Sequence, residues 1–400
     1  MAISAGQILH DANGYVLDRI QTAGAGSLNI PEEKIYELGN FRSVATVRDI
    51  PDLSFSLDSF DMSCEMEAIL TGADPTTIVA GQGFNFDNSM PIDIISPFKS
   101  AIGAYDIVKG VAIPYLTLER ATYRFGVRQN STQQFQLKGD TINYIPGSPY
   151  YEEFTNIGAG VYNFAHTAIE YVEAGISHYA LCVTGLNRTT HKYKRLFQGS
   201  DYTNTSAGIT TLGALSDYTK IVVVYGSAVA TSYLQTVHQN VSVKPAAVRG
   251  KDIDVYIGTT AATPTFTRWA SVQSAEVTRS VSLQNNEEFG NAHYISSDYD
   301  VADVSGQFVV KALDPAELWT KIAQVANIAT NKIVGPYTSV TLPVEIRISD
   351  PDAGTVIKTL YIQDCRFTLP AVQGRVQQKL DTTFAWKSDG GYLSVFKGTR

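Results

Sequence analysis

The sequence predicts a mainly β protein: two tandem β-sandwich or half-barrel domains, each with a short flanking helix, plus an inserted small β module. Three observations carry that reading. Thr, Val, Ser and Tyr dominate long stretches, and these residue types suit a pleated, half-buried surface. Apolar and polar residues alternate with period two, as in Leu53, Phe55 and Leu57 against Ser54 and Ser56. One pattern also occurs twice. Leu38-Gly39-Asn40 is followed, after eight residues, by Asp49-Ile50-Pro51-Asp52-Leu53-Ser54. Phe289-Gly290-Asn291 is followed at the same interval by Asp300-Val301-Ala302-Asp303-Val304-Ser305, so both parts recur 251 residues later.

In the first copy, residues 53–57 read as a strand with one dry face. It leads through Ser59-Phe60-Asp61 to a short helical pattern, Glu65-Met66-Glu67-Ala68-Ile69-Leu70, closed by Gly72, with Glu65 and Glu67 expected on its wet side. In the second copy, residues 304–310 form the strand. Asp314 then suits a helix N-cap, Pro315 the first helical position and Glu317 the capping-box spacing, with Trp319 inside the helix as a packing residue. The displacement from Asp61 to Asp314 is 253. Residues 116–125 and 132–138 read as paired strands, with counterparts at 360–369 and 376–384. There Thr132-Gln133-Gln134 stands opposite Val376-Gln377-Gln378, a displacement of 244. Carried to the chain end, that displacement gives domains at 1–156 and 246–400. The intervening 157–245 has its own strand signals at 179–183, 193–197, 209–212 and 220–225, separated by clusters such as Gly199-Ser200-Asp201. Strands at that spacing suggest a small sandwich-like module. Residues 73–110, with Pro75, Gly81, Gly83, Pro91 and Pro97, read as a long contact loop, and residues 1–30 as an arm that orders against a neighbour.

A chain of 400 residues suits several domains of roughly 100–200 residues, and 44% apolar against 18% charged composition marks it as globular. The net charge of −8 argues against gripping nucleic acid by phosphate neutralisation. It leaves open an acidic wall past which DNA moves without sticking. Cys64, Cys182 and Cys365 are odd in number and far apart, which fits buried thiols in a protein made in a reducing cytosol. The first residues have no basic region before an apolar run, and no stretch nears the ~18 apolar residues of a membrane span. Neither a signal peptide nor a membrane anchor is therefore expected.

The sequence carries no expected catalytic, cofactor-binding or metal-binding residues. His166, Glu170, Glu173 and His178 lack the HExxH spacing, and Ala-Gly-Ile interrupts the segment. Gly24-Ala25-Gly26 and Gly81-Gln82-Gly83 lack the third glycine of a dinucleotide fingerprint, and neither a Walker sequence nor a GxSxG elbow occurs. The basic run His191-Lys192-Tyr193-Lys194-Arg195 reads as a solvated strand or hairpin rather than a single-strand binder. Glu32/Glu33, Glu65/Glu67 and Glu287/Glu288 are carboxylate pairs that nothing places in a cleft. Trp269, Trp319 and Trp386 read as core anchors.

The stretch Gly39-Asn40, Pro51-Asp52-Leu53-Ser54-Phe55-Ser56-Leu57 and Ser59-Phe60-Asp61 resembles the tube domain of major tail tube proteins of tailed bacteriophages. So does the later strand pair through Tyr123-Arg124-Phe125 and Gly139-Asp140. The middle stretch from Tyr193 to Thr203, with Val224-Tyr225-Gly226-Ser227, is similar to hairpin modules of phage tail proteins. The resemblance implies a structural virion protein without enzymatic activity or cofactor, made in the host cytoplasm and located in the virion tail. Six tube domains close a ring, and stacked rings form a conduit for genomic DNA. Two domains per chain then imply homotrimeric rings with pseudo-sixfold symmetry, as in non-contractile siphophage-like tails. The implied partners are the chain itself, tape measure, tail terminator and tail tip proteins, with DNA passing unbound. Ser54, Ser56 and Asp58 are the lumen-facing candidates. The alternative is a β-sandwich carbohydrate-binding or adhesin protein; a hydrolase reading lacks an acid/base set.

Overall fold

The computed structural model describes residues 11–17, 19–25, 28–36, 42–86, 89–99, 107–155, 160–173, 175–212, 218–229, 247–259, 264–288, 291–310, 341–368 and 382–400. The first copy holds β1 (Asp11–Ala12), β2 (Tyr15–Val16), β3 (Ile20–Ala25), β4 (Glu32–Tyr36), β5 (Ser43–Arg48), β6 (Leu53–Ser59), α1 (Glu65–Leu70), β7 (Gly83–Asn85), β8 (Ile92–Lys99), β9 (Ile107–Gly126), β10 (Thr132–Gly139) and β11 (Asn143–Ile145). The middle module holds β12 (Ser148–Phe154), β13 (Val161–Asn163), β14 (Tyr171–Glu173), β15 (Ile176–His178), β16 (Cys182–Asn187), β17 (Tyr193–Leu196), β18 (Tyr202–Thr205), β19 (Gly208–Thr211) and β20 (Tyr218–Ser227). The second copy holds β21 (Ile253–Gly258), β22 (Phe266–Arg268), β23 (Val272–Ser280), β24 (Leu283–Asn286), β25 (Ser296–Tyr299), β26 (Asp303–Val310), β27 (Thr341–Ser349), β28 (Val356–Phe367), β29 (Thr382–Ser388) and β30 (Leu393–Lys397). The fold is mainly β, and no helix among the described residues is long and apolar enough to cross a membrane.

The strand pairing is written twice. β3, β6, β10 and β9 lie side by side in that order, as do β23, β26, β29 and β28. A second sheet of β1, β8, β9 and β11 is repeated by β21, β27, β28 and β30. The irregularities recur too. The ladder shift between Ile20 and Thr22 returns between Val272 and Ser274, and that between Ile92 and Ile94 returns between Leu342 and Val344. Arg19 (φ 54) and Tyr115 (φ 56) beside the first pair of shifts match Ser271 (φ 64) and Asp364 (φ 55). Left-handed backbone is uncommon for such residues and belongs to bulges that bend a strand. Its recurrence at matched positions makes it a property of the unit.

The doubled sequence pattern has a structural origin. Hairpins β4–β5 and β24–β25 match through four pairs, from Glu32 opposite Arg48 to Ile35 opposite Ala45 and from Leu283 opposite Tyr299 to Asn286 opposite Ser296. Asp49 donates its N–H to the Pro31 carbonyl at 3.0 Å and Asp300 its N–H to the Ser282 carbonyl at 3.1 Å. Each aspartate Oδ1 then accepts the next N–H, from Ile50 at 2.8 Å and Val301 at 2.7 Å. The aspartate thus turns the chain from the hairpin into β6 or β26. Gly39, Asn40 and Gly290 lie outside the described residues.

The later displacement is 249 rather than the expected 244. Lys138 stands opposite Ser54 and Thr117, and Lys387 opposite Ser305 and Arg366, so Gln133-Gln134 correspond to Thr382-Thr383. Register follows the inward faces, Phe135 and Leu137 against Phe384 and Trp386, all buried. The matching glutamines carried no register information. Residues 73–110 are not one loop, since they contain β7, β8 and the start of β9. Ile92, Ile94 and Ile95 are buried, and such a strand gives an apolar run instead of alternation. Nor are residues 11–25 a detached arm, because β1 to β3 pair within the sheets. Glu65 and Glu67 are buried, not wet. The helix expected near 314–322, with Trp319, and the segment 369–381 lie outside the described residues.

One core runs through both copies, uniting Leu53, Phe55 and Leu57 with Phe308, Phe384 and Val395. Trp269 packs within 5.4 Å of both Phe308 and Phe384, and Trp386 stacks on Phe308 at 5.9 Å. The middle module has a separate core, where Tyr225 stacks between Phe164 and Tyr150 at 4.5 and 5.3 Å. Its sheet, β12-β20-β16-β17, takes in Ser148–Phe154, so its strands begin before residue 157.

Candidate assembly surface

The two copies meet edge to edge. β9 pairs antiparallel with β23 from Ser274 opposite Gly126 to Ser280 opposite Arg120. That junction merges the two four-stranded sets into one sheet of eight, ordered β3-β6-β10-β9-β23-β26-β29-β28. Val127 N–H donates to the Gln273 carbonyl and Val281 N–H to the Glu119 carbonyl, both at 2.9 Å. Antiparallel alternation therefore points the backbone groups of Gln273, Ala275 and Val277 at β9. Their counterparts in β3 are Gln21, Ala23 and Ala25, and among the described residues β3 pairs only with β6.

The face of the eight-stranded sheet turned from the core is polar. Ser54, Ser56 and Asp58 lie on it, exposed or half-buried between the buried Leu53, Phe55, Leu57 and Ser59. Arg124 reaches Glu276 across the junction at 3.2 Å, and Thr122 meets Thr278 at 3.3 Å. Lys387 pairs with Asp303 at 3.1 Å and Lys138 with Glu119 at 3.2 Å. Exposed pairs of this kind contribute about 0–1 kcal/mol each. Among the described residues they leave a polar surface with charges of both signs interspersed.

Two buried ionic clusters lock the parts together. Lys358 of β28 reaches Glu67 of α1 at 2.6 Å and Gln133 of β10 at 2.9 Å, and Glu67 also accepts from Tyr123 at 2.8 Å. Lys358 and Glu67 have no solvent exposure, and their bond ties the second copy to the first. The other cluster joins all three parts. Arg195 of β17 holds Asp140 bidentately at 2.6 and 2.9 Å, with its guanidinium 4.8 Å from the Tyr115 ring. His293 reaches Asp140 at 3.3 Å and Glu173 at 3.1 Å. Burial alone would raise the Asp140 pKa, but Arg195 and His293 hold it well below the ordinary range. Burial opposes protonation of His293, yet the bonds to Asp140 and Glu173 raise its pKa.

The sequence candidates fare unevenly. His166, Glu170, Glu173 and His178 do not converge: His166 lies on the Tyr150 ring at 4.4 Å, Glu173 binds His293, and Glu170 is exposed. No group of three metal-ligating side chains stands together among the described residues. Gly24 lies in β3 and Gly83 in β7. The basic run is not wholly solvated. His191 turns a hairpin at φ 54 and Lys192 pairs with Asp298, but Arg195 is buried. Sequence reasoning missed both ionic clusters. The available signal was charge at a position whose strand neighbours alternate inward, as Lys358 does in line with Leu360 and Ile362; Arg195, next to the buried Leu196 on the opposite face, carried none.

No protein-family model and no curated protein matches this chain. Among solved structures it is similar to a chain of the anti-feeding prophage baseplate, determined by cryo-EM with six-fold symmetry. That match has 11% identity and a TM-score of 0.28, covering 39% of this chain and 97% of the other. A likeness at that score fixes neither fold nor function.

Proposed function

We propose that this chain is a non-enzymatic structural protein of a bacteriophage tail, polymerising through its sheet edges into stacked rings that form the tail tube. The observation carrying this reading is the β9–β23 junction, where two copies of one unit join into a single antiparallel sheet. A contact between successive units that uses different surfaces on each is heterologous, and repetition of it generates a ring if the rotation closes. The β3 edge is the counterpart of the β23 edge already used inside the chain, so the next unit belongs to another chain. Three chains supply six units. Closure also removes strand edges that otherwise invite uncontrolled pairing. The hydrated, mixed-charge face then lines a conduit past which genomic DNA slides, with tape measure, terminator and tip proteins as further partners. Native mass spectrometry tests the stoichiometry. A species of three times 43.5 kDa supports the reading, and a monomer at every concentration contradicts it.

A further inference from the structure

Hairpins β4–β5 and β24–β25 are equivalent, yet their surroundings differ. β24–β25 and its connecting loop rest on the first copy and the middle module. Tyr294 N–H donates to Asp140 Oδ2 at 3.0 Å, His293 Nδ1 lies 3.3 Å from the same oxygen, and the Tyr115 hydroxyl donates to the Ile295 carbonyl at 3.3 Å. Val281, just before β24, is 7% exposed, whereas its counterpart Ile30 is 39% exposed. Every residue of β4 is exposed, including Ile35 and Tyr36 on opposite faces, with Tyr36 at 63%. A lone two-stranded hairpin is marginal in water, and apolar exposure of this kind marks a contact surface.

We infer that β4–β5 docks on the second copy of an adjacent copy of this chain, in the seat equivalent to the one β24–β25 occupies on the first copy. The inference rests on the ring reading above, and adds a specific contact to it. The registers already described place Asp389 where Asp140 stands, Arg42 where His293 stands and Ser43 where Tyr294 stands. Charge complementarity carries over: His293 faces Asp140 within the chain, and Arg42 faces Asp389 between chains. The Ser43 N–H takes the place of the Tyr294 N–H. The Ile30 N–H meets the Thr368 carbonyl as Val281 meets Glu119. The seat is open in the single chain, where Asp389 is 41% exposed and pairs with Arg366, while the covered Asp140 is 1% exposed.

The test uses the full-length chain carrying Arg42→Cys and Asp389→Cys, treated with a short bismaleimide under assembly conditions and viewed in parallel by negative-stain microscopy. Cys64, Cys182 and Cys365 are buried, so the single variants supply the background. Covalent products ending at three chains, in the double variant alone, are the expected result. Rings in the micrographs without such products would overturn the docking while leaving the ring reading intact. Absence of rings from the unsubstituted chain as well would remove the two readings together. A charge swap gives a second arm. Arg42→Asp alone is expected to lose ring assembly, and adding Asp389→Arg to restore it; an unimpaired Arg42→Asp, or a swap that restores nothing, counts against the contact.

Discussion

Lys358 and Glu67 meet 2.6 Å apart without solvent contact, and the second Glu67 oxygen finds no hydrogen-bond partner among the described residues. Removing one member of such a pair leaves a buried charge uncompensated. Lys358→Met is therefore expected to destabilise the chain by about 3–5 kcal/mol, with Glu67→Gln added to it recovering most of the loss. Urea unfolding of both variants measures this. Asp93 poses the opposite case. Burial raises its pKa to about 6, although the Tyr115 N–H donates to it at 2.8 Å. The unfolded carboxyl titrates near 3.9. The folded state thus holds the proton more tightly, and the stability this gives is fully present below about pH 3.9 and lost as pH rises through about 6. Asp93→Asn keeps an acceptor for Tyr115 and removes the charge. It is expected to stabilise the chain at pH 7 by up to about 3 kcal/mol and to flatten the stability profile between pH 4 and 6, as thermal unfolding across that range would show.

At the scale of the element, β3 is where the account is most exposed to test. Ala23 matches Ala275, whose backbone groups point toward β9, so the Ala23 N–H points at the open edge. Proline is tolerated on a strand edge facing away from its own ladder but cannot donate to a new one. Ala23→Pro should leave circular dichroism unchanged and abolish assembly seen by sedimentation; normal assembly would rule out pairing through this edge. Legibility in the sequence followed the same division between faces and edges. β6 was readable because one face is wet, giving Leu53, Phe55 and Leu57 in alternation, and β26 could be matched to it through the Asp-x-x-Asp turn. β8 was not readable, because its residues 92–96 are buried on both faces. The β9–β10 counterpart was displaced by five residues because Gln133-Gln134, one buried and one half-buried, match Gln377-Gln378 in residue type alone, while the register is set by the buried Phe135 and Leu137. The assembly edge could not be read at all, since a free edge is a property of backbone groups common to every residue. The Arg195–Asp140 bond spans 55 residues and two parts of the chain, a pairing no local pattern encodes.

For the whole molecule, the duplication extends from sheet order to bulges and left-handed residues, which makes the chain a pair of equivalent building blocks. One junction between blocks is made inside the chain, and the counterpart edge, β3, pairs only with β6 among the described residues. Under the proposed function, the polar, mixed-charge face of the eight-stranded sheet is the surface along which an anionic polymer passes without being held. The most direct measurement is cryo-electron microscopy of the assembled full-length protein, with end-on averages computed without imposed symmetry. The proposed account predicts closed rings of three chains, six similar lobes around a central channel and three-fold differences at the middle modules. A protein that stays monomeric at high concentration, or an assembly whose lobes do not repeat in pairs within each chain, would contradict it.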